Sequence, residues 1–370
     1  MSESVITGTE QNVFVVGHMN PDTDSICSAI AYADLKCKMT GKKYTPKRAG
    51  QLSPETEFVL KHFGVKTPGF ISDVREQVKD MEIRVVPTLS KEMSLKAAWD
   101  VMDKETLSTL PILDEDKCLK GLISVADIAK SYMAVYDSEI LEKSETPYRN
   151  ILEVLEGSMV VGNPDDCVTS GKVLIGAAKP EMMENFVEEG DIVIVGDRYE
   201  AQLCAIEMKA KCVVVCTGAN VAKTITRMAE QRGCAIIQTK YDTFIASRLI
   251  NQSMPIDFFM RKEGFVTFTT EDFLDDIKSV MAEKRHRDFP ILDKEGHYIG
   301  MISRRNLLTV KKKDIILVDH NEVDQAVDGL QSANILEIID HHKIGSLETM
   351  GPVYFRNQPV GCTATIIRQM

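Results

Sequence analysis

The chain has 370 residues, enough for several domains, with 44% hydrophobic and 27% charged residues, the balance of a soluble globular protein. A net charge of −11 excludes a general binder of nucleic-acid backbone, which needs a basic surface. No apolar run approaches the ~20 residues of a membrane span, and the polar, acidic opening residues lack the apolar core of a signal peptide. Nine scattered Cys without a C-x-x-C pair read as reduced thiols, mostly small core fillers, and predict a cytoplasmic protein.

Val13-Phe-Val-Val-Gly17 is a short β-branched run and predicts a buried strand. Ile26, Ile30 and Leu35 then recur at helical spacing, predicting a helix over 25–39. Between them lies a polar turn, His18-Met-Asn-Pro-Asp22-Thr-Asp24. Strand-to-helix turns are where open α/β sheets place their chemistry.

An internal repeat follows. The same 179-residue offset separates Met102 from Met281, Pro111 from Pro290 and Gly121 from Gly300. Each copy reads as helix, strand, turn, strand, helix. Between the copies, 190–198 predicts a strand and tight turn, 199–209 a helix, 213–218 a strand and 219–232 a helix, a small βαβ-type unit. After the second copy, Asp314-Ile-Ile-Leu-Val-Asp319 and Ile335-Leu-Glu-Ile-Ile-Asp340 predict two more buried strands. They are followed by His320-Asn-Glu322 and His341-His342. The fold class is therefore α/β with parallel sheets covered on both faces. Residues 1–73 and 313–370 read as two parts of one domain, with modules at 74–138, 147–250 and 251–312 inserted between them.

Three polar clusters sit just past predicted strand ends: His18, Asp22 and Asp24; Asp319 and His320; Asp340, His341 and His342. If those strands are parallel neighbours, the clusters converge on one sheet edge. Taken alone, Asp22 and Asp24 could simply cap the following helix. Taken together, alternating carboxylates and imidazoles suit Mn²⁺, Co²⁺ or Zn²⁺, and a shared Asp can bridge two ions. Two metals ~3.5–4 Å apart would lower the pKa of a water between them and clamp phosphoryl oxygens, which predicts a hydrolase.

The repeat resembles a pair of CBS motifs, and the module between the copies resembles a DRTGG domain. The motifs His18-x-Asn-Pro-Asp22-x-Asp24, Val318-Asp-His-Asn-Glu322, Ile339-Asp-His-His342 and Pro359-Val-Gly-Cys-Thr-Ala-Thr365 resemble the DHH phosphoesterase superfamily. Within it they resemble the nucleotide-regulated family II inorganic pyrophosphatases. The resemblance implies hydrolysis of pyrophosphate to two orthophosphates by a metal-bridging hydroxide, with two Mn²⁺ or Co²⁺ ions and Mg²⁺ carried by the substrate. It implies that His18 and Asp22 bind one ion, that Asp24 and His341 bind the other, and that Asp319 bridges them. It further implies that His342 faces the phosphate, while Asp340 and His320 position the ligands. In the family a further Asp ligand and a second, substrate-gripping domain follow, so a chain ending at Met370 is expected to be incomplete and weakly active alone.

The CBS resemblance implies regulation by AMP, ADP, ATP or a dinucleotide bound between the copies. Asp127 stands where the family places a ribose-binding Asp. The second copy has Asn306 there, reached through Ser303 and Arg304. Arg285, Arg287, Arg304 and Arg305 give that copy a cationic rim suited to phosphate. A homodimer is implied by resemblance alone. Two other functions fit less well: a nuclease or oligonucleotide phosphatase, disfavoured by the acidic balance, and a nucleotide sensor without activity, disfavoured by the full metal-ligand set.

Overall fold

The computed structural model describes residues 5–6, 12–133 and 137–370; most of the opening segment read for a leader lies outside them. The chain forms two compact units, Met1–Val85 with Thr267–Lys294 and Ile299–Met370, and Val86–Val266 with Glu295–Tyr298.

The first unit is built on a six-stranded sheet. Its order is Tyr354–Asn357, Asn334–Asp340, Asp314–Val318, Val13–Val16, Tyr44–Arg48 and Gly69–Phe70. Every neighbouring pair runs parallel. Parallel strands covered on both faces bury successive side chains on opposite sides, which is why these strands read as unbroken apolar runs. Val13, Val15, Ile316 and Val318 pack on one face with Ala29, Tyr32, Ile366 and Ile367. Val16, Ile315 and Leu317 pack on the other with Val74, Val327 and Leu330. At roughly 1.5–3 kcal/mol per buried aliphatic side chain, a one-residue slip of any central strand would cost more than local propensity could restore.

The helix after the first strand runs Thr23–Thr40, two residues earlier than its apolar spacing predicts. Asp22 sets that start by accepting a hydrogen bond from the Ser25 amide at 2.9 Å. The helix ends at Gly41, whose φ of +69° is the left-handed stop that glycine adopts without strain.

The same unit holds a second five-stranded sheet, containing Phe268–Thr269, Asp288–Leu292 and Tyr298–Ser303 from the second repeat. The helix before these strands, Leu274–Glu283, buries Leu274, Ile277 and Met281. The helix expected after them is reduced to one 3₁₀ turn, Asn306–Leu308. Few residues separate Asn306 from the strand that begins at Asp314, and three of them are consecutive Lys. A longer helix would draw that charged run and the strand entry into the fold.

In the second unit the first repeat forms as predicted: helix Leu95–Glu105, antiparallel strands Thr109–Leu113 and Leu119–Ser124, and helix Val125–Met133. The module between the repeats is a five-stranded sheet. It is larger than the small unit expected. Val173–Ile175, Ile192–Val195, Cys212–Val215 and Ala235–Gln238 are parallel, and Ser158–Val161 is antiparallel at one edge. Cys212, Cys216 and Cys234 are buried here as core fillers. The second helix begins at Lys223 instead of Ala219, because Thr217 and Gly218 both take a left-handed φ of 65° and delay it. No helix among the described residues is long and apolar enough to cross a membrane.

Candidate metal centre

The strands Val13–Val16, Asp314–Val318 and Asn334–Asp340 are adjacent, so their polar ends share one edge of the sheet. The connections diverge there: the chain leaves the first strand toward Tyr44–Arg48 on one side, while Asp314–Val318 lies on the other. Such a switch point leaves a crevice at the C-terminal strand ends.

Gly17 carries the chain out of the first strand. A Cβ there would stand 1.9 Å from Ser25 Oγ and 3.1 Å from Ser25 O, so any larger residue would push the Ser25 hydroxyl out of its place. Ser25 Oγ accepts the His18 amide at 3.1 Å and holds the His18 turn against the helix. His18 Nε2 then faces Asp22 Oδ1 at 3.8 Å and Asp319 Oδ2 at 3.5 Å.

Asp319 turns out of its strand with a left-handed φ of +65°, a conformation Asp tolerates better than most residues. Its amide still pairs with Ile339 O at 2.9 Å, and its side chain is almost fully buried. Its Oδ1 lies 3.5 Å from His341 Nε2, and His341 Nε2 lies 3.9 Å from Asp24 Oδ2. Two trios of ligand atoms, His18 with Asp22 and Asp319, and Asp319 with His341 and His342, each fall within 4.8 Å. Asp319 is common to both. Asp24 stands beside the second trio.

Polar atoms behind the ligands set their orientation. Asp340 is fully buried, and its Oδ1 accepts the His341 amide at 2.8 Å, the His342 amide at 3.2 Å and His342 Nδ1 at 2.8 Å. The His342 ring tip therefore points away from Asp340, on a half-exposed side chain. His341 Nδ1 donates to Val360 O at 3.0 Å, which leaves Nε2 as the lone-pair nitrogen on the carboxylate side. His320 Nδ1 donates to Val318 O at 3.0 Å.

Two residues singled out by no charge or spacing complete this frame. Asn321 is buried and donates from Nδ2 to Asp340 Oδ2 and to Lys343 O at 2.9 Å. Thr363, also buried, donates from Oγ1 to Asp319 Oδ1 at 2.9 Å. Both lie inside the quoted motifs, the one signal that could have found them.

The electrostatics fit a cation. Burial raises the Asp319 pKa most, with neighbouring Asp24 adding to it, and the His18 and Thr363 contacts only partly offset this. Burial works to lower the His18 pKa, but its contact with Asp319 and the charges of Asp22 and Asp24 outweigh that and raise it. Burial pushes His320 down to about 4, so its ring is neutral. Asp319 Oδ2 and His320 Nε2 are buried without a hydrogen-bond partner. A buried carboxylate oxygen left open costs several kcal/mol unless a cation meets it, roughly the penalty for an uncompensated buried charge. Carboxylates and imidazoles converging on such an atom are a donor set for a divalent transition metal.

In the repeats, Asp127 Oδ2 accepts the Ser124 amide at 2.9 Å and the Ser124 hydroxyl at 2.5 Å, and lies 3.5 Å from Arg261 Nε. Asn306 Oδ1 accepts the Ser303 amide at 2.8 Å and its hydroxyl at 2.9 Å, while its Nδ2 donates to Glu82 O at 3.1 Å. Arg285, Arg287 and Arg305 are exposed. Arg304 is engaged otherwise than as a free phosphate ligand: its Nε donates to Met281 O at 3.0 Å, and its guanidinium also meets Lys284 O, closing the end of the Leu274–Glu283 helix.

A parallel α/β sheet with a carboxylate–imidazole edge has the donor set of a divalent-metal site. Residues 150–253 match the DRTGG domain, and residues 78–134 and 256–313 match the CBS domain. The chain is 41% identical over 355 residues to the cobalt-dependent inorganic pyrophosphatase of Clostridium perfringens, covering 96% of this chain and 65% of that protein. It is 36% identical over 360 residues to the "probable manganese-dependent inorganic pyrophosphatase" of Thermotoga maritima, covering 97% of this chain and 65% of that protein. The crystal structure of the CBS and DRTGG domains of the C. perfringens pyrophosphatase regulatory region, complexed with the activator diadenosine tetraphosphate, matches with a TM-score of 0.59 at 36% identity. That match covers 62% of this chain and 100% of the other. The chain is thus a homologue of manganese- and cobalt-dependent inorganic pyrophosphatases, with CBS and DRTGG modules lying in sequence between the segments that build its six-stranded sheet. It spans 65% of the length of these two relatives.

Proposed function

We propose that this chain serves the hydrolysis of inorganic pyrophosphate to two orthophosphates, with two Mn²⁺ or Co²⁺ ions at the sheet edge and Mg²⁺ brought by the substrate. The observation that carries the reading is Asp319: a buried carboxylate shared by two ligand trios, with one oxygen left open. His18 and Asp22 would hold one ion and His341 and Asp24 the other, with Asp319 within reach of both sets. Bound there, the ions would supply positive charge to the phosphoryl oxygens and acidify water. The chain's own groups do the rest. Asp340 orients His341 and His342 through their amides and the His342 ring, leaving the His342 Nε2 tip free to meet a phosphate oxygen. His320, neutral and buried beside His18, excludes water and keeps the edge free of added charge.

Adenine nucleotides regulate the activity through the CBS copies, by analogy with the C. perfringens regulatory region bound to diadenosine tetraphosphate. Asp127 and Asn306, with Ser303, Arg285 and Arg287, are the groups proposed to meet ribose and phosphate. Regulation requires that the nucleotide bind two states of the chain with different affinities. The family resemblance further supports a homodimer, and nine free Cys suit the reducing cytoplasm.

Phosphate release from pyrophosphate in Mn²⁺ or Co²⁺ plus Mg²⁺ tests the reading. It is measured on the 370 residues alone and on the chain extended to its relatives' length with the corresponding C. perfringens segment. Metal-dependent release by the extended chain is expected. Release from short oligonucleotides but not from pyrophosphate would contradict it.

A further inference from the structure

Three of the proposed metal ligands come from three separate elements: Asp24 from the first helix, Asp319 from the end of one strand, His341 from the end of the next. Something must set their mutual distance before an ion arrives. One short segment touches all three. Val360 O accepts from His341 Nδ1 at 3.0 Å. The Thr363 and Ala364 amides donate to the two oxygens of Asp24, at 2.6 and 2.9 Å. The Thr363 hydroxyl donates to Asp319 Oδ1 at 2.9 Å.

We infer that the 360–364 turn is the positioning element of the metal centre, and that Thr363 is its operative side chain; this rests on the metal reading above. The chemistry of each contact supports the assignment. A carbonyl can only accept, so Val360 fixes the proton on His341 Nδ1 and turns the Nε2 lone pair toward Asp319 and Asp24. Two backbone amides, one on each oxygen, hold the Asp24 carboxylate in a fixed orientation. The Thr363 hydroxyl occupies one oxygen of Asp319 and leaves the other, Oδ2, with no hydrogen bond and facing His18 Nε2 at 3.5 Å. Thr363 is fully buried, so water cannot replace its hydroxyl. Ser28 adds a hydroxyl to Asp24 Oδ1 at 3.1 Å, but it touches only that one ligand.

Calorimetric titration of Co²⁺ into the 370-residue chain, with the visible spectrum of the Co²⁺ form, tests the inference. Thr363→Val keeps the volume, the branched Cβ and the amide to Asp24, and removes only the hydroxyl. We expect its Co²⁺ affinity to fall about 10-fold or more, the size typical of lost partners behind a metal ligand, with a changed spectrum. Thr363→Ser restores the hydroxyl, and is expected to return both readouts close to wild type. Wild-type affinity and spectrum in Thr363→Val would overturn the inference. So would a Ser variant as weak as the Val variant, since packing and not the hydroxyl would then matter. If the wild-type chain binds no Co²⁺, the metal reading itself fails, a result distinguishable from either of these.

Discussion

The candidate metal edge and the two repeats use the same residue types in opposite ways. In the repeats, Asp127 and Asn306 each close onto a Ser three residues earlier through both its amide and its hydroxyl. At the sheet edge, Asp319 and His320 each keep a buried polar atom with no partner. Burial of an open polar atom is costly, and folding tolerates it where a ligand will fill the gap. The contrast separates two side chains whose oxygen closes onto the end of its own strand from a carboxylate with one oxygen that makes no hydrogen bond. It also explains the Asn in the second repeat. Asn306 Nδ2 donates to Glu82 O at 3.1 Å, which an ionised Asp could not do.

Substitutions can break that contrast. The largest effect is expected for Asp319→Asn, which removes the one carboxylate placed to serve both ions; metal affinity should fall by more than about 100-fold, beyond the range for residues that only support ligands. Equilibrium dialysis with Mn²⁺ reads this directly, and near wild-type binding would mean the open oxygen is not a ligand. Gly17→Ala forces Ser25 and the helix start to move, and should cost about 1–3 kcal/mol in urea unfolding. An unchanged midpoint would show that the turn adapts freely. Asn306→Asp should destabilise by about 1–2 kcal/mol, because a buried carboxylate would face the Glu82 carbonyl. If stability instead held and nucleotide affinity rose, Asn306 would belong with the open groups. Asp127→Asn keeps an acceptor for Ser124 and loses only the charge facing Arg261, so stability should change by less than about 1 kcal/mol. A larger loss would make that pair part of the core and not of its surface.

Much of this was legible in the sequence, for reasons visible in the fold. Strands covered on both faces must be apolar throughout, so 13–16, 314–318 and 334–340 declared themselves, and the polar residues just beyond them marked the edge. The repeat was legible because a constant offset fixes both copies at once. Thr363 and Asn321 were not. A hydroxyl and an amide carry no signature of position, and their roles come from residues 44 and 19 positions away in the chain. The lost helix of the second repeat escaped because its local pattern copies the first; the strand that follows it decides the outcome. The late start at Lys223 depends on two consecutive left-handed residues, one of them the non-glycine Thr217.

The most direct test of the account is the number of Mn²⁺ ions retained per chain in equilibrium dialysis, for the wild type and for Asp319→Asn. Two ions in the wild type, with Asp319→Asn losing both together, would match a carboxylate shared between two sites. Equal retention by the two proteins would contradict it.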